Sequence, residues 1–185
     1  MNRKVAYLLV LLICSFSAST QVFKIPTEGR SLIYFTRTSG TGALINFKYF
    51  DGEKYLGKFS GVNYMIYECD PGEHTFWVSA ENRDFVSANL LPGKTYLMEV
   101  RPTMGAFKAA VKLFPLSATN EKDVKKVAKI KKLIAKKDPI LFDNSKVNAE
   151  AKELDFFIEN GIKKYNKDLK AGIEIKKMTE SMFHN

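Results

Sequence analysis

Cysteine is nearly absent from this chain: Cys14 and Cys69 are its only two in 185 residues. An internal disulfide framework is therefore excluded, and the core has to hold itself together by packing. Histidine is as rare, with only His74 and His184, so histidine-based zinc sites and general-base chemistry have few parts to draw on. Long apolar runs are missing too. The unbroken run Val5–Ile13 falls far short of the ~20 apolar residues a membrane-spanning helix requires. The chain carries no Gly-x-Ser-x-Gly elbow, His-Glu-x-x-His helix, paired Cys-x-x-Cys or phosphate-binding Walker loop. Ser39-Gly40-Thr41-Gly42 lacks the lysine and the spacing of such a loop and reads as a turn. No catalytic residue, cofactor site or metal site is assigned on these grounds. Scattered carboxylates that converge in space, as in a hydrolase, remain the rival.

What is present is ordinary globular composition, 45% hydrophobic and 26% charged, which excludes disorder of the whole chain. The net charge of +9 is made mostly of lysine, and residues 121–185 hold 16 basic against 11 acidic side chains. Arginine is scarce, which argues against nucleic acid as a partner.

The first twenty residues read as an export signal. Arg3 and Lys4 form a positive start, Val5–Ile13 the apolar stretch, and Ser15, Ser17, Ala18 and Ser19 the small residues around a cleavage site. Either Ser17-Ala18-Ser19 or Ala18-Ser19-Thr20 offers small residues at both required positions, leaving Thr20 or Gln21 as the new N-terminus. Cys14 offers an alternative, acylation in a lipoprotein signal, although Ile13 stands where the processing enzyme wants a small residue. The expected location is outside the cytoplasm, in the periplasm or associated with the cell envelope. The alternatives are a lipid-anchored or an extracellular protein.

Residues 30–116 alternate short strand-like runs with turns. Ala43, Ile45, Phe47 and Tyr49 share one parity, and Asp51-Gly52, Asp70-Pro71-Gly72 and Pro92-Gly93 break the runs. About eight strands at this spacing predict an antiparallel β-sandwich. On the sheet parity, Phe76, Val78 and Ala80 look inward and Trp77 outward.

Near Asn120 the rhythm changes from two to three or four. Asn120 is suited to cap a first helix, with Val124, Val127, Ala128, Ile130, Ile134 and Ala135 on its apolar arc. Lys131 points into that arc and Leu133 out of it. Asp138-Pro139 ends this helix. A second, longer helix is expected from Asn144 or Ser145, with a seam of Val147, Ala151, Leu154, Ile158, Ile162, Tyr165 and Leu169. Gly161 beside that seam marks either a close neighbour or a kink, and Ile173–Phe183 reads as an extended or irregular tail. The domain plan is a signal at 1–20, a sandwich at 30–116 and a lysine-rich helical extension at 120–185 packed on it. The extension covers Trp77 in this reading; the rival is pairing of the seam with a second copy, so the chain is a monomer or a helix-mediated homodimer.

Three strings, Glu68-Cys69-Asp70-Pro71-Gly72-Glu73-His74-Thr75-Phe76, Asn89-Leu90-Leu91-Pro92-Gly93-Lys94-Thr95-Tyr96 and Met104-Gly105-Ala106-Phe107, follow one another in an order that resembles a bacterial domain-of-unknown-function family. Its members are secreted or lipid-anchored β-sandwich proteins of the cell envelope. The resemblance covers about residues 30–116 and implies fold and location; it implies no catalytic or ligand-binding residues.

Two polar groupings remain. Glu68, Cys69, Asp70, Glu73 and His74 form the densest donor cluster, read as a hairpin turn rather than a metal site. Lys122, Lys125, Lys126, Lys129, Lys132, Lys136 and Lys137 lie on the first helix and its ends. They read as a solvated face or as a contact for an anionic membrane or polysaccharide. The function expected is a non-catalytic scaffold or binding module of the envelope. Its partner is an envelope protein or, alternatively, an anionic surface met through the lysine helix.

Overall fold

A computed structural model describes residues 22–104 and 109–184. The expected signal at 1–20, Cys14 and the Gly105–Phe107 part of the last string lie outside the described residues.

Nine strands are described: β1 (Ser31–Thr36), β2 (Phe47–Asp51), β3 (Lys54–Phe59), β4 (Tyr64–Cys69), β5 (Gly72–Ser79), β6 (Arg83–Leu90), β7 (Thr95–Met104), β8 (Ala109–Leu116) and β9 (Lys176–Met178). They form one sheet in the order β4-β1-β7-β8 and another in the order β3-β2-β5-β6-β9. Both sheets are mixed, because β1 runs parallel to β7 and β6 parallel to β9. This corrects the expected all-antiparallel, eight-strand arrangement. Period-two alternation sets which face a residue occupies but carries no information on the direction of its neighbour.

The two sheets share one core. Ile33, Phe35, Met98 and Val100 of the first sheet meet Phe47, Tyr49, Phe76, Val78 and Val86 of the second. The opposite parity of the first sheet, Leu32, Tyr34, Tyr64 and Leu97, forms a separate cluster with Phe23. Phe50, Tyr55, Trp77 and Phe85 do the same on the second sheet. Two apolar outer faces are thus left to be covered.

Three helices follow rather than the expected two: α1 (Val124–Ile134), α2 (Asn144–Glu153) and α3 (Asp155–Lys170). The Asn120 side chain accepts from the Lys122 amide and starts a 3-10 turn, Glu121–Asp123, before α1. Helix α1 covers the outer face of the first sheet, burying Ile130 and Leu133. The helical arc is therefore rotated from the one expected. Leu133 points in, Lys131 is exposed, and so are Val124, Ala128 and Ala135. The docked face is set by the packing of Ile130 and Leu133 with Leu32, Tyr34, Tyr64 and Leu97 on the sheet, rather than by the densest apolar arc within the helix itself.

The chain then straps around the edge of both sheets. The Ile140 amide donates to the Tyr64 carbonyl on β4, and Phe142 packs against Gly57 on β3. Helices α2 and α3 cover the outer face of the second sheet. Their break falls at Leu154, which leaves helical geometry at φ −102, ψ 2. It does not fall at Gly161, whose missing side chain makes room for the Trp77 ring instead. At the far edge the sheets are laced by side chains. Asn82 accepts from the Val111 amide and donates to its carbonyl at 2.7 and 2.9 Å, and Asp84 accepts from the Leu113 amide at 2.6 Å and from Lys176.

Candidate functional site

The lysine face takes its geometry from how α1 docks. With Ile130 and Leu133 against the sheet, Lys125, Lys129 and Lys132 fall within about 60° of one another on one exposed flank of the helix, at 100° per residue. Lys122 and Lys136 extend the stripe into the flanking turns, and all five are exposed. None of these five forms an ion pair among the described residues. Two of the expected members are used locally instead. Lys126 pairs with the buried Asp123 carboxylate at 2.8 Å, and Lys137 donates to the Val62 carbonyl at 2.7 Å and to Asn63. Lys131 sits over the ring of Phe23, 5.6 Å from its centroid.

The Glu68–His74 cluster resolves into a locked hairpin. Asp70-Pro71-Gly72 turns the chain, with Gly72 at φ 106, a backbone region that only glycine adopts without strain. His74 donates through Nδ1 to the Asp51 carboxylate and through Nε2 to the Asp70 carbonyl, both at 2.8 Å. Hydrogen bonding to the Asp51 carboxylate, helped by Cys69, pushes the imidazole up to about 10, so it is a fixed cation at neutral pH. Asp51 also accepts from the Tyr67 hydroxyl, whose own pKa rises chiefly because it is buried. Cys69 faces the core with its thiol toward the Ser31 carbonyl. With both ring nitrogens donating, His74 offers no lone pair to a metal or a substrate. No three His, Cys, Asp or Glu side chains converge in a metal-holding group among the described residues.

Trp77 points outward, as its parity predicts, and is covered by its own chain. Its exposure is 0%, its indole donates to the Gly52 carbonyl, and its ring stacks on Phe50 at 3.7 Å between centroids. Of the expected seam, Val147, Ala151, Leu154, Ile158 and Tyr165 join this cluster. Leu169 stays 48% exposed. Phe157, which lies off the expected seam, belongs to the cluster and carries Arg83 over its ring at 4.3 Å.

The outer face of the second sheet is divided. Beyond the aromatic half lies an open cleft of about 670 Å³. Its floor includes Thr75, Ser87 and Lys177, adjacent across β5, β6 and β9, with Glu73 and Asn89 paired in the next row. Tyr165 of α3 forms one wall, its hydroxyl 2.8 Å from Ser87 Oγ. The segment Thr179–Ser181, which includes the start of the 3-10 turn Glu180–Met182, forms the other. The sequence singles out Tyr165, Glu73 and Asn89 separately, but not as one site, because the cleft joins positions near 75–89 to positions near 165–181. The one available signal was the outward parity of Thr75 with Trp77.

Among the described residues no helix is long and apolar enough to cross a membrane. Comparison with protein families, with curated proteins and with solved structures finds no match to this chain.

Proposed function

We propose that this chain is an exported, non-catalytic binding module of the bacterial cell envelope, a β-sandwich held at an anionic surface by the lysine stripe of α1. One observation carries the reading: docking through Ile130 and Leu133 leaves Lys122, Lys125, Lys129, Lys132 and Lys136 exposed together along one flank of α1 and its ends. Each lysine near an anionic bilayer contributes about 1 kcal/mol. A stripe of five is a weak, salt-sensitive attachment that a second signal has to reinforce. Acylation of Cys14, the alternative to removal of the whole leader, supplies such a second signal. The shared core of two facing sheets supports the sandwich, and the resemblance of the three strings supports the location. Commitment of both His74 nitrogens supports a module without catalysis.

Co-sedimentation with vesicles rich in phosphatidylglycerol tests the reading. Binding at low salt, release at high salt and loss in the Lys125→Glu, Lys129→Glu, Lys132→Glu variant are expected. Removing three such contacts amounts to roughly a hundredfold in affinity. Equal binding to neutral vesicles, or none at low salt, overturns it. Intact mass of the protein from its own cells separates a chain starting at Gln21 from an acylated one starting at Cys14.

A further inference from the structure

We infer that the cleft between α3 and the Thr179–Ser181 segment binds an uncharged, hydroxyl-rich ligand, a neutral saccharide in chemical class. Its volume of about 670 Å³ lies inside the range of ligand pockets, about 300 to 1,000 Å³. Its walls are fixed in advance. Met178 is buried in the core, the Tyr96 hydroxyl donates to the Glu180 carbonyl at 3.1 Å, and Asn89 donates to the Glu180 carboxylate at 2.7 Å. On the other side Tyr165 is tied to Ser87. A preformed site binds without the cost of ordering its own loops.

The floor chemistry selects the ligand class. Thr75 and Ser87 face each other across β5 and β6, as do Glu73 and Asn89. Cross-strand neighbours stand about 5 Å apart, so hydroxyl, amide and carboxylate groups form a small grid of donors and acceptors. Sugar hydroxyls each donate and accept, so they can meet both kinds of group. Glu73 and Glu180 stand against Lys177, while the His74 imidazolium is already paired with Asp51, so the cleft does not attract an anion. No guanidinium lines the cleft to clamp phosphate or carboxylate in a forked geometry. Tyr165 adds an aromatic ring to the wall. An extended peptide is recognised by backbone pairing along a strand edge, whereas this floor offers outward side chains of strands that pair within their own sheet.

Amide chemical shifts of the isotope-labelled protein decide the matter, titrated separately with neutral oligosaccharides of glucose, of mannose and of N-acetylglucosamine, with inorganic phosphate and with trialanine. At least one neutral sugar is expected to shift the Ser87 and Asn89 signals in a saturable way. The Thr75→Val, Lys177→Met variant is expected to weaken that binding about tenfold with an unchanged melting curve. Absence of shifts with all three sugars overturns the inference. So does tighter binding of phosphate or trialanine, or sugar binding that the double variant leaves intact. The lysine-stripe variant is expected to bind sugar normally, so failure here and failure of vesicle binding are read independently.

Discussion

The ring of Trp77 occupies the space that a side chain at Gly161 would need: a Cβ there would lie 2.6 Å from Trp77 Cη2. Helix α3 approaches the sheet this closely because glycine permits it. Gly161→Ala recovers about 1 kcal/mol of helix propensity, but overpacking a filled site costs roughly 1–3 kcal/mol. A net loss of stability is expected, and a larger one for Gly161→Val. Trp77 is the chain's single tryptophan, so urea unfolding followed by its fluorescence reads the effect directly. An alanine variant more stable than the parent would show that the ring yields freely.

The clamp on His74 has a defined pH signature. Its imidazole is raised to about 10 from an ordinary value of 6.5, first through the hydrogen bond to Asp51. The folded state holds the proton more tightly than the unfolded chain, so this contribution is complete below about pH 6.5 and disappears as pH rises through 10. Asp51→Asn is expected to return the histidine toward its ordinary range and to flatten the fall in unfolding free energy between pH 7 and 10. Proton NMR of the His74 ring checks the first point and urea unfolding at several pH values the second. A wild-type midpoint near 6.5 would remove the clamp.

How much of this was legible in the sequence depends on the physical signal each feature carries. The turns at Asp51-Gly52 and Asp70-Pro71-Gly72 separate strands because they demand particular backbone angles, and both stand where expected. The outward set of Trp77 follows from strand parity alone. Strand direction does not, which is why the parallel pairing of Leu32 with Thr95 and of Val86 with Lys176 came only from the coordinates. At three residues, Lys176–Met178 is too short to show any period. The break at Leu154 was hidden because leucine favours helix, while Gly161, open to a close neighbour or a kink, makes the close contact. Leu133 lies outside the densest apolar arc of α1, and only packing against the sheet decides which side of a helix docks. The lysine stripe could be read within one helix. The cleft could not, since its two sides lie some ninety residues apart, as Asn89 and Glu180 illustrate.

His184 fastens the C-terminal end, and acid is expected to loosen it. Its amide donates to the Thr95 carbonyl at 2.7 Å and its Nε2 to the Leu116 carbonyl at 2.9 Å, beside the ring of Phe23. Burial lowers its pKa; Lys131 on α1 adds to the effect, while the Leu116 hydrogen bond and Asp123 oppose it. The unfolded chain therefore takes up the proton first. Stability is kept above about pH 6.5 and lost as pH falls through the lower folded value. Urea midpoints at pH 5 are expected below those at pH 7, with a smaller difference in His184→Gln, which keeps a donor for Leu116 but does not titrate. Weaker protection of the His184 amide at pH 5 than at pH 7, relative to its intrinsic exchange rate at each pH, is the local readout. Identical pH dependence in parent and variant would assign the acid sensitivity to other groups.

Asn82 stands in for a missing strand. It sits between the sheets and makes the paired donor and acceptor contacts to Val111 that a neighbouring strand would make to β8. Asn82→Ala leaves an amide and a carbonyl of β8 without partners, and two such bonds are worth about 2 kcal/mol together. The same change opens an edge to pairing with another chain. A substitution of that size on an ordinary surface turn shifts stability by about 0.5 kcal/mol or less, so the two readings are well separated. Urea unfolding is expected to show the larger loss, and light scattering at increasing concentration is expected to show self-association that the parent lacks. If the variant unfolds at the parent's midpoint and stays monodisperse, β8 is protected by something other than Asn82, and the lacing rests on Asp84 and its bonds to Leu113 and Lys176.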